Sequence, residues 1–483
     1  MGKGCIHVHR HWKQFCFLAV LTSILLLIFS GCGDYENAVN STEESRGQIT
    51  LRLLVDDGFM SPYTAEKCQI ETLIMSFENS HENVTVEVEV LDDDLEAREI
   101  QMQQLRVEIM AGQGPDLFLL PTVMNPAYLL FSDVNQAMHN GVFADISEWY
   151  DCDDSLGKEG LNAAVMDAGV VEGQRFVLPL RYTFPVVYYD KVKLAEAGLP
   201  ETFFQGDAAV WMEALVATGN GRYGTELRLA RNMLNYFPEL FDYEKETVLL
   251  PRENLVSFLE TCAAFEQFRE VSPVFYINAD YSGYYERSTW TDNGDLFWLG
   301  NLEHGINETV FAQANGTQLG MCPMMGADGK ITAEIRMYGA VGAGCRHPEL
   351  GYAFLREFLT VESQWEKNNS RGVSGGDLIG NGYTVRTADS AEDYYQVIVE
   401  RGKNSDWSYQ DPDGSRRAKL EAVEIHNEDF PIFAIQPDVV RFPAADLEND
   451  LAFGVSGIAA GTKTAEEVAN EWLRSAMFHL AEG

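Results

Sequence analysis

The sequence predicts an α/β fold with a parallel sheet and more than one domain. Two observations carry this. Between residues 49 and 120, strand and helix periodicities alternate as β-α-β-α-β, a pattern that gives a parallel sheet covered by helices. At 483 residues the chain is too long for one small core, and its 46% hydrophobic residues are ample for globular cores.

Residues 49–55 (ITLRLLV) have the alternation and β-branching of a first strand, ending at Asp56-Asp57-Gly58. Residues 65–77 place Ile70, Leu73, Ile74 and Phe77 on one helical face, and residues 84–91 (VTVEVEVL) alternate with period two. A second helix, about 95–110, carries Ile100, Leu105, Ile109 and Met110 at helical spacing. Gly112 and Gly114 stop it, Pro115 cannot continue it, and Asp116 is placed to bond backbone at the turn. Leu117-Phe118-Leu119-Leu120 is apolar without alternation, as a strand buried on both faces requires. Ligands of open α/β sheets sit beyond the carboxyl ends of such strands, so residues 120–124 would line a site.

Further along, residues 135–149 read as helix with a stop at Gly141, and Glu172-Gly173 as a hairpin turn into a strand reaching Pro179. Arg181 to Phe184 reads as a short irregular link before a strand at 186–189, then a helix closed by Gly198 and Pro200. Residues 205–332 are rich in aromatics and glycine, with helical stretches at 208–217 and 252–268; helix, turn and strand follow over 308–325. A helix is expected at 348–360, and Thr464 with Glu467 forms a capping-box start for the last one.

Charge is lopsided: 35 Lys+Arg against 74 Asp+Glu gives −39. So acidic a surface repels phosphate backbones, which argues against nucleic acid as a partner. The N-terminus differs from the rest. Lys3, Arg10 and Lys13 form a basic region, residues 15–29 an apolar run of signal-peptide length, and Phe29-Ser30-Gly31-Cys32 resembles a bacterial lipobox. The resemblance implies a signal peptide at 1–31, acylation of Cys32, a polar tether over 32–47, and a protein lipid-anchored on the extracytoplasmic face of the cell membrane. The alternative is an uncleaved single-span anchor. His7, His9 and His11 fall in the segment expected to be removed. Of eight cysteines, Cys68, Cys152, Cys262, Cys322 and Cys345 then remain, without a CxxC, so zinc and iron–sulfur centres have little support and no cofactor is expected. Cys322 and Cys345 either pair or stay as free thiols.

Motifs in order along the chain carry a resemblance. They are the lipobox, Phe77-Glu78 before the 84–90 strand, Ala111-Gly112-Gln113-Gly114-Pro115-Asp116, and Gly141-Val142-Phe143-Ala144-Asp145-Ile146. Glu172-Gly173-Gln174-Arg175-Phe176-Val177-Leu178-Pro179, Tyr188-Tyr189-Asp190-Lys191, Glu196-Ala197-Gly198-Leu199-Pro200 and Gly461-Thr462-Lys463-Thr464 follow. Each is weak alone, and their order and spacing together are specific. The chain resembles the extracellular solute-binding proteins, family 1, the sugar-binding lipoproteins of ABC importers. Tyr189-Asp190 replaces a more usual Tyr-Asn, and 205–301 diverges.

The resemblance implies a two-lobed, periplasmic-binding-protein-like (type II) fold with a hinge and a ligand cleft between the lobes. Lobe 1 would span 48–180 plus 333–375 and lobe 2 181–332 plus 376–483, with crossings at 181–184 and 333–338. It further implies a monomer, a sugar ligand, and the transmembrane permease subunits as partners. A sugar needs aromatic faces for stacking and carboxylates, amides or arginines for its hydroxyls. The matching positions are Asp56, Asp57 and Phe59 after the first strand, Leu120 and Thr122 after the third, and Arg181, Tyr182 and Thr183 at the crossing. Asn235, Tyr236, Trp290, Asp292, Trp298 and Tyr338 are expected to contribute from the second lobe.

Two other chemistries are weaker. Gly372-Val373-Ser374-Gly375-Gly376 fits the G-x-S-x-G of serine hydrolases, with His426 downstream, but polar loop replaces the required strand and helix. Asp151-x-Asp153-x-Ser155 opens like a calcium loop, yet Leu156 stands where glycine is required and Asn162 where glutamate is expected. A sensor lipoprotein of the same fold, or a binder of another polar solute, fits the sequence as an importer's receptor does.

Overall fold

A computed structural model describes residues 48–56, 65–92, 94–122, 128–218, 222–225, 234–268, 270–271, 296–301, 316–360, 383–387 and 435–481. The expectations for the signal peptide, tether and Cys32 lie outside them, as do those for residues 372–376 and His426. The chain divides into Met1–Ile49 and a compact unit, Thr50–Gly483, that holds two sheets with their helices.

The alternation appears as β1 (Ile49–Val55), α1 (Ala65–Ser80), β2 (Val84–Val90), α2 (Leu95–Met110) and β3 (Leu117–Pro121). β1 lies between β2 and β3 and runs parallel to β3, with Leu53 opposite Leu117 and Val55 opposite Leu119. The chain steps from β1 to one neighbour and then to the other, so a topological switch point lies beyond the carboxyl ends of β1 and β3. Four successive residues of β3 are buried, as its unbroken apolar run requires. β2 is the sheet's edge, and there Val88 and Val90 are exposed among glutamates.

α2 is a helix as expected but turns a different face inward. Arg98, Met102 and Leu105 are buried, whereas Ile100 and Met110 are exposed. The reason is Arg98, whose buried partner lies at the end of β1. Past the helix, Gly112 adopts φ +69° and Gln113 N donates to Glu108 O at 2.8 Å. Asp116 accepts at 2.9 Å from the backbone N of Arg52, so it ties this turn to β1.

The helix expected from 135 is α3 (Val134–His139), which ends before the expected stop at Gly141 (φ +68°), and a second short helix, α4 (Ser147–Cys152), follows. Between them, Ala144 N donates to Val341 O (2.8 Å), which ties the link to the sheet. After α5 (Ala163–Asp167), β4 (Val170–Val171) and β5 (Gln174–Arg175) form the expected hairpin. Glu172 and Gly173 both take positive φ at its turn, as a two-residue loop of this hand needs. β6 (Val177–Thr183) and β7 (Pro185–Asp190) follow with only Phe184 between them. The irregular link expected from Arg181 is therefore strand, because Tyr182 and Thr183 pair with Ile335 and Glu334 far along the chain.

Next come α6 (Lys191–Glu196), α7 (Ala208–Thr218), β8 (Arg222–Thr225), a hairpin of β9 (Phe241–Asp242) and β10 (Thr247–Val248), α8 (Arg252–Phe268), β11 (Glu270–Val271), β12 (Phe297–Asn301) and β13 (Leu319–Pro323). β14 (Thr332–Val341), α9 (Pro348–Leu355), β15 (Tyr383–Thr384), β16 (Val439–Arg441), α10 (Ala445–Ala459) and α11 (Ala465–Ala481) complete the described elements. One sheet has seven strands in the order β15-β6-β14-β3-β1-β2, with β16 paired to β14; the other has five, β11-β8-β12-β7-β13. The chain passes between them at Phe184, over 324–331, and over 442–444. The stretch 333–338, expected to be a crossing, lies inside β14, where it pairs with β6 on one side and with β16 and then β3 on the other. β15 and β16, from a stretch expected in the second lobe, add to the seven-stranded sheet.

The five-stranded sheet is covered on one face by α7, α8, α10 and α11. Val187, Phe297 and Leu299 there meet Trp211, Phe265, Leu451, Trp472 and Ala476. Trp472 spends its indole N–H on Leu447 O (3.0 Å) and stacks on Phe241. The capping box is present: Thr464 N donates to Glu467 Oε2 at 2.9 Å, and Glu467 N to Thr464 Oγ1 at 3.2 Å. Cys322 lies in this core and Cys345 follows β14, both as free thiols. Removing the Trp472 ring leaves a large void, so Trp472→Ala is expected to cost about 3–5 kcal/mol in denaturant unfolding. Met477→Ala, on the exposed face of the same helix, should stay within about 0.5 kcal/mol.

Candidate functional site at the carboxyl edge of the seven-stranded sheet

β14 runs antiparallel to both β3 and β6, so β1, β3 and β6 all end at one edge of the sheet, where β14 begins. One guanidinium organises this edge. Arg98, fully buried on α2, pairs through Nη2 with Asp56 Oδ2, just past β1. Its Nε and Nη2 also donate to Tyr128 O (3.0 and 2.7 Å), and its Nη1 to Asp92 O (3.3 Å). The segments leaving β1, β2 and β3 are thereby tied to one side chain. The pairing also disposes of two charges that burial would otherwise penalise.

Beside this clamp, Thr122 donates through Oγ1 to Ile335 O and through its backbone N to Arg336 O (2.9 Å). Those two carbonyls flank a break in register. Ile335 faces Tyr182 and Met337 faces Arg181, which leaves Arg336 as an extra residue on β14; Leu180 is then the extra residue on β6. A bulge bends a strand and re-aims a side chain. Arg336 is the one residue of β14 that is not buried.

The remaining groups fill the floor. Tyr182 is enclosed, set edge-on to Tyr383 (5.7 Å), and burial drives its phenol well above its ordinary range, against a hydrogen bond with Asn162. Tyr338 packs edge-on against Phe143 and Phe442. Glu334 pairs with Arg441 at 2.9 Å, and Glu448 lies 3.9 Å from the same Nη2.

Asp56, Leu120, Thr122, Arg181, Tyr182, Thr183 and Tyr338 are thus brought together at this edge, each no more than 3% exposed. They form its floor and leave little surface to a ligand. Tyr338, expected on the second lobe, stands opposite Leu120 in the seven-stranded sheet because β14 inserts beside β3. Trp298 lies apart, on β12, buried against Tyr188 at 5.3 Å. Asn235 is buried and donates to Thr332 O (2.9 Å) at the start of β14. Half-buried Tyr236 stacks on Phe258 (4.8 Å), and burial together with Asp207 holds its phenol above the ordinary range. Asp57, Phe59, Trp290 and Asp292 lie outside the described residues.

Two residues of this site were not among the sequence candidates. Arg98 could have been suspected as a lone charge at a core position of α2, whereas the bulge that presents Arg336 leaves no local sequence signal. In the calcium-like loop, the Asp153 carboxylate is already engaged: it accepts from Ser155 and Tyr352 and pairs with Arg356 at 3.0 Å. Partial burial opposes its ionisation, but the bonds from Ser155 and Tyr352 and the charge of Arg356 hold it below the usual carboxylate range.

No family model matches the chain, and no curated protein matches it. Solved structures do. The sugar-binding protein MalE from Xanthomonas citri is similar at 13% identity with TM-score 0.57, over 90% of this chain and 98% of that one. An extracellular solute-binding protein family 1 from Alicyclobacillus acidocaldarius is similar at 15% identity with TM-score 0.51, over 90% and 99%. The galacto-N-biose-/lacto-N-biose I-binding protein of an ABC transporter from Bifidobacterium longum, in complex with lacto-N-biose, is similar at 13% identity with TM-score 0.52, over 90% and 98%. The chain has the α/β fold of the periplasmic and extracellular solute-binding proteins.

Arg98→Met strands the buried Asp56 carboxylate and is expected to cost about 3–5 kcal/mol in chemical denaturation. Adding Asp56→Leu removes the stranded charge and should recover part of that loss; a double variant no better than the single one would contradict the clamp.

Proposed function

We propose that this protein is the receptor of an ABC importer: a non-catalytic, lipid-anchored binding protein that captures a carbohydrate outside the cytoplasmic membrane. The observation that carries this reading is a sheet edge at a topological switch point, beside the passages of the chain to a second sheet, with Arg336 set out by a bulge. The passages at Phe184, over 324–331 and over 442–444 serve as the hinge, and the two sheets with their helices as the lobes.

In this reading the buried edge residues are a rigid floor and the ligand rests above them. Arg336 is the candidate to meet sugar hydroxyls, and Tyr236 supplies an aromatic ring beside the 324–331 passage. Asp57, Phe59 and Trp290 remain candidates by chain position, the first two directly after the clamped Asp56. Carbohydrate is the favoured class because two of the similar structures are described as sugar binders, one of them holding lacto-N-biose. Ligand binds the closed arrangement better than the open one, shifts that equilibrium by its differential affinity, and presents both lobes to the permease.

The test is thermal-shift screening of the soluble form starting at Gly33 against mono- and oligosaccharides. A ligand at about 100 times its Kd adds about 2.7 kcal/mol to the folded state, which raises Tm. Arg336→Ala and Tyr236→Ala should reduce the shift without lowering the unliganded Tm by a like amount. Silence across the sugars with a response to peptides or polyamines would overturn the ligand class.

A further inference from the structure

A second polar cluster joins the two sheet systems. Asp133 caps α3 and accepts at 3.2 Å from Gln136 N. It belongs to the seven-stranded side: Phe131 packs edge-on to Phe118 and Phe143, and Ala144 N bonds Val341 O. The partners of Asp133 come from the other side. His479 Nε2 lies 2.7 Å from Asp133 Oδ2, and Tyr243 Oη donates to that same oxygen at 2.6 Å. His479 closes α11, whose Trp472 and Ala476 lie in the core of the five-stranded sheet; Tyr243 follows β9, whose Phe241 stacks on Trp472.

The contact is more than one pair. Gln136 Nε2 donates to His479 O (2.8 Å), Asn135 Nδ2 to Tyr243 Oη (3.4 Å), and His139 stacks on the Tyr243 ring. The Asp133 side chain is fully buried and that of His479 is 12% exposed, so water competes little for these bonds while they are made. Burial, with Asp133 beside it, keeps the Tyr243 phenol protonated and therefore a donor. The Asp133 carboxylate accepts from Tyr243 and faces His479, the Gln136 and Asn135 amides donate in return, and each set is served by water once the sides part. Such a contact can open without leaving an orphaned group, which a packed apolar seam cannot do.

We infer that Asp133, Tyr243 and His479 form a latch that holds the two sheet systems at the angle seen here, and so sets how much of the ligand-free protein is in this arrangement. The consequence for ligand affinity rests on the binding reading above; the latch itself does not. A ligand that favours another angle must break these bonds, so its apparent affinity is lowered by the fraction latched.

The full-length protein in detergent, carrying click-labelled unnatural residues at exposed Glu99 and Glu260, reports the angle by single-molecule energy transfer without any ligand. Asp133→Asn keeps an oxygen to cap α3 but loses the charge. It and His479→Gln should each change the ratio of latched to unlatched molecules on the order of tenfold, the double variant no more than either, and Tyr243→Phe in the same direction. Energy-transfer distributions unchanged in all three, with only Tm lowered, would reduce the cluster to internal packing and overturn the latch. Additive effects in the double variant would do the same. Failure to bind sugars would touch the ligand reading alone, since no sugar enters this measurement.

Discussion

The charge on Arg98 has nowhere else to go. A guanidinium fully enclosed by protein must find its counter-ion and its hydrogen-bond acceptors within reach, and here they are the Asp56 carboxylate and the carbonyls of Asp92 and Tyr128. Those three groups lie on the chain as it leaves β2, β1 and β3. Satisfying one buried cation therefore fixes the facing of α2 and the exits of three strands at once. The Thr122 bonds to β14 and the aromatic packing around Tyr338 then build on a frame that is already set.

Much of this was legible locally. The apolar run of β3, the glycine ending of α2, the two positive-φ residues of the β4–β5 turn and the Thr464–Glu467 box each follow from the chemistry of a few adjacent residues. What failed depended on partners distant in sequence. The face of α2 was misjudged because the burial of Arg98 depends on Asp56, 42 residues away. Arg181 to Thr183 looked irregular because the strand that orders them, β14, begins about 150 residues later. The candidate site was legible as a place on the fold, the edge beyond β1, β3 and β6, but less so as a set of accessible side chains. The residues chosen for polarity and position are buried there, and half-buried Arg336 stands at a mismatch between two strands that neither strand records.

The two sheets differ in how they are assembled. β7, β8, β11, β12 and β13 come from one continuous stretch between Pro185 and Pro323, so the five-stranded sheet needs nothing from outside it, although α10 and α11 later complete its core. The seven-stranded sheet is divided by that stretch. Among the described residues the chain passes between them at three places, which sets connections side by side at the edge where the candidate site lies and couples any bending there to that edge.

β14 has a further consequence, for synthesis. It is inserted between β3 and β6 and pairs with both, so until residue 341 has been made those two strands face one another across an empty slot with their backbone donors and acceptors unpaired. Two open edges of apolar strand are templates for pairing with other chains. The delay cuts both ways: the seven-stranded sheet cannot close early on a partly made chain, and its open strands need shielding until the last third arrives.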